Sequence, residues 1–233
     1  MDTIFEKLRQ LRSPIVCDAI ERFGVRLRQD GYTDGSVKCL LPSLGAFVGY
    51  AVTGRIMAEQ PHEPGNLRVA WQDVWAYVDG QPKPSIMVCQ DLDQPPGRGC
   101  AWGDVSASIF RRLGCNAVIT NGAVRDIRQV EALGFGLFAQ GPVVGHANVR
   151  FVEIGGPVKV AGLAVHPGDL LHADEHGAVI IPREVNLPEL VRVAEQFMAS
   201  ERTAIDYARS SDAFSIAGLK QRMDRHDSAE YSR

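Results

Sequence analysis

Between Ala101 and Ala139 the sequence alternates helical and strand-like runs at short intervals, and this alternation constrains the fold more than any other feature. A loop at Ala101–Gly103 opens a helix expected over Asp104–Leu113, with a strand over Ala117–Thr120 after it. A turn at Asn121-Gly122 leads into a helix over Asp126–Leu133 and a strand over Gly136–Ala139. Strand–helix–strand order of this kind belongs to α/β domains. It also predicts where chemistry sits, because open α/β sheets bind ligands outside the carboxyl ends of their strands.

The flanks complete the expectation. Thr3–Leu11 reads as a helix with Ile4, Phe5, Leu8 and Leu11 on one face. Ser13-Pro14 reads as an N-cap followed by proline at the first helical position, opening a helix that stops near Gly24. Residues 28–46 are rich in turn formers, and Gly49–Met57 reads as a strand. Asn66 is expected to cap a helix over Leu67–Val78, whose apolar face is Val69, Trp71, Val74, Trp75 and Val78. Ser85–Cys89 is a short buried strand, and Asp91–Gly99 a Pro/Gly/Asp-rich loop. Beyond Val149 come Gly-separated β segments at Phe151–Ile154, Val158–Val160, Leu163–Val165, Asp169–Leu171 and Ala178–Ile181. A long amphipathic helix follows over Leu187–Ala208. The expected architecture is one α/β domain over residues 1–220, followed by a polar, frayed tail at 221–233. Its central, partly parallel sheet is layered against helices and flanked by N- and C-terminal helices.

Length and charge exclude several classes. A chain of 233 residues fits one large domain or two small ones and can bury a sizeable core. Its 25 Lys+Arg against 28 Asp+Glu give a net charge of −3, which argues against nucleic-acid binding through bulk electrostatics. No apolar run approaches the roughly 20 residues that cross a bilayer. Met1–Arg12 lacks the apolar block of a secretory signal. The five cysteines are odd in number, scattered and free of any CxxC pair, which fits a reduced, cytoplasmic protein with buried thiols.

The densest chemistry lies in Trp102–Asp126. Gly103 stands at a helix N-terminus, where its N–H and those of Val105 and Ser106 can hold a carboxylate, or where Asp104 simply complements the helix dipole. Arg125-Asp126 follows a strand end. Arginine forks onto carboxylates, and aspartate ligates hard divalent ions. Together the two strand-to-helix junctions describe a site for metal-assisted reaction on a small carboxylate. A rival lies in His172-x-Asp174-x-His176, which in an extended segment presents a Zn²⁺ ligand set and otherwise reads as a tight turn. His146 is a candidate ligand or proton carrier. No dinucleotide fingerprint, phosphate loop, GxSxG elbow or desolvated Schiff-base lysine stands out.

Gly103-Asp104 with the NGAVRD run ending at Asp126 resembles the family of regulator of ribonuclease activity A, which includes the 4-hydroxy-4-methyl-2-oxoglutarate / 4-carboxy-4-hydroxy-2-oxoadipate aldolases. The segment Gly156–Pro182, with its PGDLLHADEHGAVIIP run, and the helix Ser13–Gly24 are similar to further parts of that family. The resemblance implies a swivelling β/β/α phosphohistidine-type fold. It implies a lyase that uses Mg²⁺ or Mn²⁺ to cleave a small 2-oxo acid by retro-aldol release of pyruvate through a metal-stabilised enolate, and that can decarboxylate oxaloacetate. Carried over by motif, Asp126 binds the metal directly and Asp104 holds it through water. Arg125 grips the pyruvyl group, and the main chain of Gly103–Ser106 binds its carboxylate. Glu201, on the C-terminal helix of a neighbouring subunit, is the candidate further acid. The resemblance also implies a homotrimer or a dimer of trimers with sites between subunits, while the charge and the lack of a long apolar run leave neither nucleic acid nor membrane as an expected partner. The segment Gly141–Phe151, with His146, departs from these aldolases and leaves the substrate open. Two alternatives stand: a protein that inhibits an endoribonuclease, which would have no need of the Gly103/Asp104/Arg125/Asp126 set, and a lyase of the same metal-enolate type on another substrate.

Overall fold

A computed structural model describes residues 2–61, 69–210 and 213–227. In chain order its elements are α1 (Asp2–Arg9), α2 (Ser13–Glu21), β1 (Lys38–Cys39), β2 (Phe47–Met57), α3 (Trp71–Asp79), β3 (Ser85–Asp91) and α4 (Asp104–Arg112). Then come β4 (Cys115–Thr120), β5 (Ala123–Val124), α5 (Ile127–Leu133), β6 (Gly136–Ala139), β7 (Gly141–Pro142) and β8 (Arg150–Ile154). The chain closes with β9 (Val158–Val160), β10 (Leu163–Val165), β11 (Leu170–Asp174), β12 (Gly177–Ile181), α6 (Leu187–Arg209) and α7 (Ile216–Asp227).

The eight-stranded main sheet runs β1-β6-β4-β3-β2-β11-β12, with β8 also paired to β2. The pairs β2–β3, β3–β4 and β4–β6 are parallel, and the remaining pairs are antiparallel. The parallel half is the βαβ region expected from the sequence. Successive residues of its strands feed opposite faces, as the period of two requires. In β3 and β4, Met87, Cys89 and Val118 pack with Val74 and Val78 of α3, Ala107 and Phe110 of α4 and Val130 of α5. Ile86, Val88, Ala117 and Ile119 pack on the other face, with Val158, Val160, Leu163 and Val165 from the β9–β10 hairpin. Phe138 of β6 and Ala178 of β12, near opposite ends of the strand order, share this second core, so the sheet is curled and nearly closed. A third core joins Leu8 of α1, Ile15, Val16 and Ile20 of α2, and Leu190 and Ala194 of α6. No helix among the described residues is long and apolar enough to cross a membrane.

Most expected elements are present, and the differences have physical causes. The β2 strand has no fully wet face despite Thr53 and Arg55, because both faces are packed: Val52 and Ile56 enter one core and Phe47 and Ala51 the other. The α3 helix starts at Trp71. The expected cap Asn66 and the residues Leu67 and Arg68 lie outside the described residues. The polar stretch from Gln221 begins inside α7 rather than as a frayed tail. The two-residue strands β5 and β7, which pair in parallel, are too short to leave a periodic signal.

Candidate active site

The parallel order brings the carboxyl ends of β3 and β4 side by side, and the two loops leaving them meet there. Asn121 clamps the junction, accepting from the Asp91 N–H at 2.8 Å and donating to the Asp91 carbonyl at 2.9 Å. The Asp91 carboxylate accepts the N–H groups of Asp93 (3.0 Å) and Gly97 (2.8 Å). Asp93 accepts those of Ala58 (2.7 Å) and Glu59 (2.8 Å). Burial raises the Asp91 pKa against the pull of these N–H groups. Every carboxylate bond here ends on main chain, so Asp91 and Asp93 fix the 91–103 loop. Sequence reasoning placed that loop without seeing its two acids as its frame.

The loop delivers Trp102, which forms a parallel bridge with Val124, and the Arg125 N–H donates to the Trp102 carbonyl at 2.9 Å. This bridge sets Gly103 against Arg125-Asp126. A Cβ on Gly103 would lie 2.5 Å from Asp126 Oδ2 and 3.0 Å from Arg125 Cγ, so only glycine permits the approach. Asp126 itself has φ +56°, the left-handed region, which aspartate tolerates better than most residues but at a cost. Its Oδ2 accepts the Asp104 N–H at 3.0 Å and lies 3.5 Å from Arg125 Nε. The side chains of Arg125 and Asp126 stay 37% and 38% exposed, so both remain available to a ligand.

Gly103, Asp104, Val105, Ser106, Arg125 and Asp126 all line one cavity of about 560 Å³, within the range of about 300–1,000 Å³ common for small-molecule sites. One expectation needs correction. The Gly103 N–H is not open to an anion, because it donates to Ser106 Oγ at 3.1 Å, and that hydroxyl donates to the Ala101 carbonyl at 2.7 Å. The Asp104 N–H is taken by Asp126. The first-turn N–H groups of Val105 and Ser106 lack an i−4 carbonyl within the helix and are the donors left for a carboxylate.

Other residues fall where the sequence did not place them. Trp71 and Trp75, counted on an apolar core face, are half-buried and line the cavity, while Val74 and Val78 of the same helix enter the core. Their i, i+4 spacing was the available signal. His146 lies at the cavity, exposed, with its Nδ1 2.9 Å from the Ala147 carbonyl. Cys100 also lines it, and burial pushes its thiol pKa up despite Arg125. Glu201 sits on α6, which packs against α1, α2 and α7, and it is absent from the cavity lining of its own chain.

The rival zinc set does not assemble. His172 is fully buried, with Nδ1 2.8 Å from Ser13 Oγ and Nε2 3.0 Å from the Leu8 carbonyl, so neither ring nitrogen is left for a metal. Asp174 accepts from the Ser13 N–H at 2.6 Å and from the His176 N–H at 2.9 Å. Burial alone would raise its pKa, but these donors hold it below the usual carboxylate value. Asp174, Glu175 and His176 do bring ligand atoms within 4.8 Å of one another, in the turn before β12.

Over 206 residues the chain is 24% identical to the protein DlpA of Legionella pneumophila, covering 84% of this chain and 31% of DlpA. Over 82 residues it is 32% identical to a Halalkalibacterium halodurans protein named "Putative 4-hydroxy-4-methyl-2-oxoglutarate aldolase", covering 35% of this chain and 39% of that protein. The chain thus matches well under two thirds of the length of these curated relatives. Among solved structures, an uncharacterized protein from Pseudomonas syringae superposes with a TM-score of 0.72 at 22% identity, covering 97% of this chain and 94% of that one. Streptomyces coelicolor RraAS2, described as an unusual member of the RNase ES inhibitor RraA protein family, gives a TM-score of 0.65 at 24% identity, covering 86% of this chain and 94% of that one. The family model described as "RraA-like: Aldolase/RraA" matches residues 13–180, which include every element that frames the cavity, and the chain belongs to that family.

Proposed function

We propose that the cavity is the active site of a divalent-metal-dependent lyase that cleaves a small 2-oxo acid and releases pyruvate. The carrying observation is the convergence of Gly103, Asp104, Arg125 and Asp126 at one cavity from two strand-to-helix junctions. The aldolase names of relatives support the reaction class.

The donor set fits a hard cation. Asp126 offers a half-exposed carboxylate whose Oδ2 is already oriented by the Asp104 N–H, and Asp104 adds a second carboxylate at the same cavity. Oxygen donors of this kind suit Mg²⁺ or Mn²⁺. Asp126 would hold the ion directly and Asp104 through water. When bound, the ion supplies Lewis-acid polarisation of the substrate's 2-oxo group.

The chain's own groups do the rest. The Arg125 guanidinium forks onto the carboxylate and 2-oxo oxygens and meets the negative charge that develops there as the bond breaks. The Val105 and Ser106 N–H groups and the positive end of α4 bind the carboxylate. Asp104 takes the proton released from the substrate hydroxyl, by way of water. Decarboxylation of oxaloacetate develops charge at the same oxygens, so one arrangement serves both reactions. A neighbouring copy in a trimer would bring Glu201 to the cavity.

The test is pyruvate release from oxaloacetate with and without Mg²⁺ or Mn²⁺. Metal-dependent turnover that Arg125→Ala reduces at least about 100-fold is expected, the scale of losing one oriented donor to a developing oxyanion. Turnover no higher than free metal alone, or unchanged in Arg125→Ala, contradicts the reading.

A further inference from the structure

The cavity lining is of two kinds. Asp104, Arg125 and Asp126 supply its charge, Gln72, Ser106 and the exposed His146 add neutral polar groups, and Trp71, Trp75, Ile109 and Val149 supply apolar surface. Among the described lining residues Arg125 is the one permanent cation, set against two carboxylates. In the lyase reading Arg125 and a divalent ion are both engaged at the reacting end of the substrate. A second carboxylate beyond C4 would then lie against indole and aliphatic surface with no further Arg or Lys among the described lining residues to meet it, which is costly, whereas the C4 carboxylate of oxaloacetate stays at the reacting end and leaves as CO₂.

The aromatic wall is braced. Trp71 and Trp75 lie 6.4 Å apart between ring centroids, with ring planes at 36°. Trp71 stands edge-on to Phe151 at 5.1 Å, and Phe151 stands edge-on to Trp102 at 6.3 Å. Phe151 and Trp102 are buried in the main core, so the chain of rings ties the wall to rigid structure. A preorganised indole surface binds flat apolar groups with little ordering cost.

Resting on the lyase reading above, we propose that for retro-aldol cleavage this site selects 2-oxo acids whose tail beyond C4 is aryl or apolar rather than carboxylate, with Trp71 and Trp75 as the specificity wall. The cleaved substrate is a 4-hydroxy-2-oxo acid bearing that tail at C4. Its C3–C4 bond breaks, and the bonding pair moves toward the 2-oxo oxygen. The 4-hydroxyl proton leaves through water to Asp104, and the tail departs as an aldehyde. C3 then takes up a proton to give pyruvate, with no change of oxidation state overall. A reaction that produces aryl or alkyl aldehydes from such hydroxy-oxo acids is therefore the class to look for.

The test uses two probes that lack the 4-hydroxyl and cannot be cleaved by retro-aldol reaction: 2-oxo-4-phenylbutanoate and 2-oxoglutarate. Their binding to the full chain is measured with Mn²⁺ by calorimetry and by quenching of tryptophan emission. The phenyl probe should bind about tenfold tighter or more. Trp75→Ala should remove most of that preference, and Trp75→Arg should improve 2-oxoglutarate binding in a variant shown folded by circular dichroism. A gained affinity cannot come from unfolding. Equal or tighter binding of 2-oxoglutarate to the wild-type chain overturns the tail assignment while leaving the lyase reading intact. An unchanged preference in Trp75→Ala removes the wall from it. Binding of neither probe overturns the assignment together with the 2-oxo acid reading.

Discussion

Two polar clusters in this molecule, each built around an aspartate, are put to opposite ends. Around Ser13, His172 and Asp174 the side chains are almost wholly buried, with His172 at 0% and Asp174 at 2% exposure, and their donors and acceptors are matched to one another or to main chain. Beside the buried Gly103, the side chains of Arg125 and Asp126 are more than a third exposed and face a cavity. There the backbone carries the strain, at φ +56° on Asp126, and the packing is so tight that a Cβ on Gly103 would collide. A satisfied cluster stabilises a fold. A cluster whose position is fixed but whose bonding capacity is unspent can act on something else. The difference separates two aspartate-bearing motifs, the Arg125-Asp126 pair and the rival His172-x-Asp174-x-His176 set, by what their side chains are bonded to.

The contrast can be broken first at Asp126. Asn is among the side chains that tolerate left-handed backbone, so Asp126→Asn should fold normally. It should cost pyruvate-releasing activity about 1,000-fold, equivalent to about 4 kcal/mol. A steady-state assay beside a melting curve checks both halves. Gly103→Ala should come next, losing activity about 100-fold as Asp126 Oδ2 is displaced, with kcat falling more than KM rises. An alanine variant of unaltered kcat would mean that the close approach has no functional purpose.

The buried cluster should answer in the opposite way. His172→Leu leaves the Ser13 hydroxyl and the Leu8 carbonyl without their ring partner, at a cost of about 1–3 kcal/mol each. Denaturant unfolding should show that loss, while turnover per folded molecule stays within about twofold. The smallest effect is on pH dependence. Burial lowers the His172 pKa below its ordinary 6.5, against the opposing pull of the Leu8 carbonyl. The unfolded chain therefore binds a proton more readily than the folded one just below that value. The His172 contribution is present in full above pH 6.5 and declines as pH falls from there toward the folded-state pKa. Melting temperatures of wild type and His172→Leu should converge between pH 7.5 and 5, and parallel curves would assign the acid sensitivity elsewhere.

Much of this was legible in the sequence. The βαβ alternation from Asp104 to Ala139 reports a real parallel sheet, because strands of period two and helices of period 3.6 leave distinct marks. Arg125-Asp126 after a strand could be placed at a ligand-binding edge for the same reason. What could not be read was pairing at a distance. The bridge from Trp102 to Val124, the capture of the Gly103 N–H by Ser106 and the turning of Trp71 toward a cavity depend on contacts that no local pattern encodes. The buried fate of His172 likewise depends on Leu8 and Ser13, more than 150 residues away.

The most direct measurement compares two single aspartates. Metal-dependent pyruvate release from oxaloacetate is assayed for Asp126→Asn and Asp174→Asn, each normalised to the folded fraction. The account predicts that the first variant loses activity and its response to Mn²⁺, while the second keeps both at lower thermal stability. Activity that survives in Asp126→Asn, or that disappears in a folded Asp174→Asn, would contradict the assignment of the working site to the cavity at Gly103, Arg125 and Asp126.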